Sequence, residues 1–395
     1  MTGGDVLNTL RTSLVVVLFS GMAFSLIRPA LAFKLRMDLG STALEVTSLT
    51  TGFMLARAVS SPIGGLIGDK YPRLRNLIAS TLLFPTSIVS LLLYMSQDSR
   101  MIISLNFLHG MFSGIFWPTV QVIVGLTSPR EKRGTFLGLY FTVAGVGSSI
   151  GYSLYGALPL SNQEFILLSS ILYFISALFS ILFLSNRNRE NNPSRTLNEI
   201  PENEVINPHL ILISAFLLGG LMGLSGEYLY IFLREVHNLS KAELGYLLTA
   251  SSIVGVVSGI SSGFLSDLLG IRRSLFLLAV MASVSLFLIS TPYRVIVIPS
   301  VLAMFFSAWG SMPLTRNVSA FKRASGTLVG LSNTSSNLGS AIFPLTAGHF
   351  YDYFGSEEVI LGLRGATISF LILSILLLLL SILLVKGIRN ISPSH

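Results

Sequence analysis

Four ionisable side chains fall inside long apolar stretches of this 395-residue chain: Arg28 in "SLIRPAL", Arg57 in "FMLARAVSSP", His109 in "LNFLHGMFSG" and Glu227 in "LSGEYLY". A charged side chain at the middle of a membrane helix costs about 2.5–3.5 kcal/mol on insertion scales, so each must face a cavity or a partner. Glu227 has the chemistry to bind and release a proton, and Arg28 to hold either Glu227 or an anionic group. Arg28 precedes Lys34 by six residues and Glu227 precedes Arg234 by seven. At about 1.5 Å per residue both lie roughly 10 Å below the same edge, so a meeting across a central cavity is expected. The alternative is a static ion pair that aligns two helices. Pro29 frees a backbone carbonyl and is expected to break the helix at Arg28; Tyr228 and Tyr230 accompany Glu227. His109 has the intrinsic pKa of a proton carrier, but a buried histidine bonded to a neighbouring helix fits equally. Arg57 reads as an anion ligand or as a structural contact to Asn333 and Asn337, which share a helical face four residues apart.

The elements that position these residues must be membrane helices. Hydrophobic residues make up 51% and charged ones 11%, and the mean hydropathy of +0.73 is more than a water-soluble fold hides in a core. Strand-like alternation is absent, which argues against a membrane barrel. Twelve spans are predicted, at about 12–34, 44–67, 76–96, 101–127, 134–158, 164–185, 208–233, 241–265, 274–291, 295–316, 325–349 and 363–385. The first reads as a retained helix rather than a cleaved leader. With no cysteine, disulfides, thiol catalysis and cysteine–metal sites are excluded. The net charge of +8 is distributed as 17 basic loop residues on one side against seven on the other: Lys34, Arg36, Arg100, Arg234, Lys241, Arg294 and Arg364. That asymmetry predicts both termini in the cytoplasm and removes any need for a nucleic-acid partner.

The polar stretch 186–208, with Pro193, Pro201 and many asparagines, reads as a cytoplasmic linker. It separates an N-terminal six-helix bundle, 1–185, from a C-terminal one, 209–395. Gly138, Gly147 and Gly156 in the fifth helix recur at an offset of 192 as Gly330, Gly339 and Gly348 in the eleventh. Small residues at such spacing let helices approach closely, and duplicated halves are a sign of secondary transporters.

The stretches "GGLIGDKYPRLR" and "GFLSDLLGIRR" gather charge at matched junctions of the two halves. Gly65, Asp69, Arg73 and Arg75 in the first, and Gly263, Asp267, Arg272 and Arg273 in the second, resemble the signature loop of the major facilitator superfamily. Pro72, Leu74 and Leu268 depart from the family pattern. The resemblance covers the whole chain and implies an all-α integral membrane protein of twelve transmembrane helices in two pseudo-symmetric six-helix bundles. It also implies alternating access, with these loops acting as a latch on the closed cytoplasmic face. In place of the fourth-helix arginine common among proton-coupled members stands Asn106. Gly138, Gly147, Gly151 and Gly156 partly match the fifth-helix pattern of drug and metabolite antiporters, with Tyr152 and Tyr155 as departures. The resemblance therefore points to proton-coupled efflux from the plasma membrane, carried out by a monomer with a small-molecule substrate. Arg28 and Arg57 favour instead an uptake symporter or exchanger of organic anions; a transporter-shaped receptor or a lipid-handling protein is a more distant reading. No nucleophile–base spacing, metal-ligand cluster or phosphate-binding loop is present, so neither an enzyme nor a cofactor is expected.

Overall fold

The computed structural model of the chain describes residues 3–128, 133–182, 208–320, 325–355, 359–360 and 363–389. The predicted linker lies outside them except for Pro208. The helices are α1 (Gly3–Phe33), α2 (Ala43–Lys70), α3 (Pro72–Thr81), α4 (Leu83–Met95), α5 (Ser99–Thr127), α6 (Arg133–Ala157) and α7 (Asn162–Ser180). They continue as α8 (Pro208–Leu224), α9 (Glu227–Glu235), α10 (Lys241–Leu269), α11 (Ile271–Ile289), α12 (Arg294–Ala320), α13 (Ser325–Phe354) and α14 (Ile368–Arg389). A two-residue hairpin, β1 (Val359–Ile360) and β2 (Leu363–Arg364), precedes α14. Helix starts follow local capping chemistry. Asp98 accepts from the Met101 amide at 2.7 Å to open α5, and Ser161 with Glu164 forms a capping box at α7.

Among the described residues, nine helices are long and apolar enough to cross a membrane, or ten with the bent pair α8–α9 taken as one span. That apolar count leaves out α2 and α13, which at 28 and 30 residues are long enough but more polar. The predicted third span is α3 and α4, interrupted at Leu82, and the predicted seventh is α8 and α9, bent by 46°. Pro29 does not break its helix: α1 runs through it and ends in a π-helical turn, Lys34–Asp38. Membrane helices tolerate proline because neighbouring groups re-satisfy the freed carbonyl.

The chain groups by contact into two compact units. Unit 1 comprises Met1–Ser41, Gly52–Thr196 and Ser240–Ser252; unit 2 comprises Thr42–Thr51, Leu197–Leu239 and Ile253–His395. Helix α2 thus begins in unit 2 and continues in unit 1, while α10 does the reverse. In unit 1, α1 packs on α6 and α7; in unit 2, α8 packs on α13 and α11 on α14.

The glycine repeat marks these contacts. In unit 1 a methyl group at Gly21 would lie 2.7 Å from the Ala144 carbonyl oxygen, one at Gly151 would lie 2.5 Å from that of Met22, and one at Gly147 would overlap that of Leu18. In unit 2 methyl groups at Gly219, Gly223 and Gly339 would overlap the Ser336, Ser340 and Phe216 carbonyls in turn. Gly138 is an exception to the close-approach reading among the described residues, none of which lies within 4 Å of the space its side chain would take.

The start of α2 is fixed inside unit 2, where the Asp352 carboxylate accepts from the Ala43 and Leu44 amides, both at 2.8 Å. The start of α10 is fixed inside unit 1, where Lys241 Nζ donates to the Leu158 and Leu160 carbonyls at 3.2 and 2.5 Å.

Candidate functional site

In unit 1 two (i, i+4) pairs meet. The Arg28 guanidinium lies 5.3 Å from the Phe24 ring centroid on α1, and Arg57 lies 5.8 Å from that of Phe53 on α2. The two rings are 5.6 Å apart. Each arginine thereby rests on an aromatic face, which steadies its planar fork of donors. His109 sets its ring edge-on to Phe53 at 5.6 Å and to Tyr173 at 5.2 Å, and is 1% exposed. Its Nδ1 has no hydrogen-bond partner among the described residues. Two glycines of α5 allow this approach: a methyl at Gly110 would overlap the Phe53 carbonyl, and one at Gly114 would stand 3.0 Å from the Arg57 Cα. The structure thus brings Arg28, Arg57 and His109 around one aromatic pair. Asn106 is buried one turn before Gly110 on the same helix.

In unit 2 the span breaks at Ser225 and Gly226, and Glu227 opens α9. The carboxylate, 4% exposed, accepts a hydrogen bond from the Thr50 hydroxyl. It stands in the first turn of a helix, where amides lack intrahelical acceptors. Tyr230 is fully buried, and the Tyr228 hydroxyl donates to the Ala366 carbonyl. The next residue after Thr50, Thr51, donates to the Ala341 carbonyl of α13 at 2.8 Å. Asn333 and Asn337 are half-buried on α13 of unit 2, whereas Arg57 belongs to unit 1. Arg28 and Glu227 likewise belong to different units.

Of the loop-motif residues, the side chains of Gly65, Asp69, Arg73 and Asp267 lie outside the described ones. Arg75 is buried on α3, Arg272 Nε donates to the Leu384 carbonyl at 2.9 Å, and Arg273 is exposed. The two junctions solve the same turn differently. Gly270 takes φ 80° before α11, a conformation that favours glycine, whereas the first copy starts α3 with Pro72 at a position where a missing N–H costs nothing. Among the described residues nothing lies within 4 Å of the space a Gly263 side chain would take.

Sequence reasoning passed over Thr50, Phe24, Phe53 and Tyr173. The spacing of four from each phenylalanine to its arginine was a usable signal. The Thr50–Glu227 bond, spanning 177 residues, had none.

The family model of the Major Facilitator Superfamily matches residues 13–344 and 211–393. A relative named multidrug resistance protein MdtG, from Dickeya zeae, is 23% identical over 367 residues, covering 87% of this chain and 88% of its own. Among solved structures, a bacterial homologue of the human lysosomal transporter Spinster aligns with a TM-score of 0.74 at 14% identity, with 100% of both chains covered. The nucleoside transporter NupG aligns at 0.74 and 11%, covering 96% of this chain and 99% of its own. With its helices, matched loops and duplicated glycine contacts, the chain belongs to the Major Facilitator Superfamily, as a multi-pass membrane transporter of small molecules rather than an enzyme.

Proposed function

We propose that the chain exports small organic molecules from the cytoplasm in exchange for protons, with Glu227 carrying the proton. The observation behind this reading is a buried carboxylate at the broken middle of a membrane span, accepting from the Thr50 hydroxyl. Such a group has a functional role by default, because burying it otherwise costs stability. Drugs as cargo are supported by the names of the relatives, which are multidrug resistance proteins. In this reading the bundles 1–185 and 209–395 of a monomer in the plasma membrane alternate access to a central site. Arg28, Arg57, His109, Tyr230, Asn333 and Asn337 line it. Gly65, Asp69, Arg73 and Arg75, with Gly263, Asp267, Arg272 and Arg273, latch the cytoplasmic side. Export driven by an imposed pH gradient in proteoliposomes tests this. Glu227→Gln is expected to abolish gradient-driven export while still binding substrate, and export at the wild-type rate would remove the proton role.

Organic-anion exchange is the second reading, favoured by the two guanidiniums resting on the Phe24–Phe53 pair. Thermal stabilisation by small carboxylates, lost in Arg28→Ala, supports it. Stabilisation by lipophilic cations, kept in both Arg28→Ala and Glu227→Gln, supports drug export.

A further inference from the structure

The chain builds one turn twice, with residues 198 positions apart in matching roles. After α1 the Ser41 amide donates to the Leu35 carbonyl at 2.9 Å; after α9 the Leu239 amide donates to the Leu233 carbonyl at 3.1 Å. Arg36 Nη1 donates to the Ser41 carbonyl at 3.0 Å, and Arg234 Nη1 to the Leu239 carbonyl at 2.6 Å. Gly40 at φ 68° and Asn238 at φ 52° supply the left-handed residue; asparagine is among the few other residues that tolerate that region. Thr42 with Glu45, and Ser240 with Glu243, exchange paired hydrogen bonds at the start of the next helix. Each turn is also where the chain changes unit, after Ser41 and after Leu239.

This duplication is an internal control. The arginine, the left-handed residue and the capping box specify the turn, and the residue before the left-handed one differs between copies. It is Leu39 in the first and His237 in the second. Leucine suffices for the turn, so turn geometry does not explain the histidine.

His237 is 7% exposed, with its ring edge-on to Phe232 at 5.1 Å. Its Nε2 is buried and has no hydrogen-bond partner among the described residues. Arginines approach this turn from three elements. Arg364 of β2 donates to the Val236 carbonyl at 3.2 Å, Arg294 of α12 acts on His237 electrostatically, and Arg234 of α9 spans the turn itself. Among the described acidic groups of the packed elements, Glu235 accepts from the Tyr351 hydroxyl at 2.5 Å, and Asp352 holds the start of α2. Burial, then Arg364, then Arg294, lower the imidazole pKa to about 4. The gathering is notable because the charge asymmetry assigns this end of unit 2 to the side poor in basic residues.

We infer that His237 is a proton-binding site separate from Glu227, on the external side, and that its protonation releases the Val236–Leu239 turn that hands the chain from unit 2 to α10. A further positive charge beside Arg294 and Arg364, with no acceptor for the new N–H among the described residues, works against the closed turn. Released, the imidazole returns to water and to its ordinary value near 6.5. Because the closed-state value is depressed, the turn keeps its full stability above about pH 6.5 and loses it as the pH falls toward about 4. External acid thereby loosens the tether of α10, whose next anchor is Lys241 on the Leu158 and Leu160 carbonyls.

Hydrogen exchange by mass spectrometry on the purified full-length protein in nanodiscs, corrected for intrinsic rates, tests this. Opening of the 234–245 segment is expected to rise roughly 30-fold between pH 7.5 and pH 5, the ratio given by values near 4 closed and 6.5 open. The sister segment 36–47 should stay flat. His237→Leu installs the residue of the sister turn and should lose the response; should it misfold, His237→Gln makes the same comparison with a group that does not titrate. A flat wild-type response, or one that persists in either variant, overturns the inference. Glu227→Gln should leave the response intact, so this site and the proton role of Glu227 fail separately.

Discussion

At the scale of single residues, the costs of buried charge singled out the candidate residues. Arg28, Arg57, His109 and Glu227 stood out because few such groups occur in apolar spans, and three of them converge on the Phe24–Phe53 pair. Thr50 carries no such cost and was invisible until the fold set it on Glu227. Thr50→Val keeps the volume and removes the donor. Gradient-driven transport is expected to fall roughly tenfold or more, since a hydrogen bond to a charged group is worth about 1.5–3 kcal/mol and about 1.4 kcal/mol is a factor of ten. Initial rates in proteoliposomes, together with melting curves to confirm folding, check this. Lys34 also hid its role. It reads as a loop cation, yet it is 2% exposed and donates to the Leu93 and Tyr94 carbonyls at 3.1 and 3.0 Å, closing the end of α4.

At the scale of helices, the glycine repeat was visible as a number and became intelligible as a contact. Gly147 sits against the Leu18 carbonyl and Gly339 against that of Phe216, so helix crossings rather than chance keep the offset. Gly147→Ala and Gly339→Ala should each lower the melting temperature, because a backbone oxygen cannot rotate away. Gly138→Ala meets none of the described residues and should instead gain up to about 1 kcal/mol of helix propensity. Thermal unfolding of the three variants in one detergent separates these outcomes. Proline was a poor guide to breaks: Pro29, Pro62, Pro118, Pro299, Pro313 and Pro344 all lie within continuous helices. Of the two breaks within predicted spans, one lies at Leu82 and the other at Ser225–Gly226, where the sequence signal is no more than a glycine before a charged residue.

At the scale of the whole molecule, the distribution of arginine and lysine predicts both termini in the cytoplasm. Reporter fusions at the two ends test it: green fluorescent protein should fluoresce at either terminus, and alkaline phosphatase should be inactive there. Active phosphatase at one end would reverse that end. Nine or ten of the twelve predicted spans meet the apolar length test among the described residues, because each such span needs about 20 apolar residues. The division into contact units was not legible, since residues 42–51 and 240–252 read as the uninterrupted first turns of α2 and α10. The partner that fixes the start of α2 is Asp352, 309 residues later than Ala43. At roughly 5–20 residues per second of synthesis, the head of α2 waits about 15–60 s on the ribosome for its capping carboxylate. Helix α2 is therefore made early and finished late, and its first turn is among the last parts of the molecule to reach its final neighbours during biogenesis.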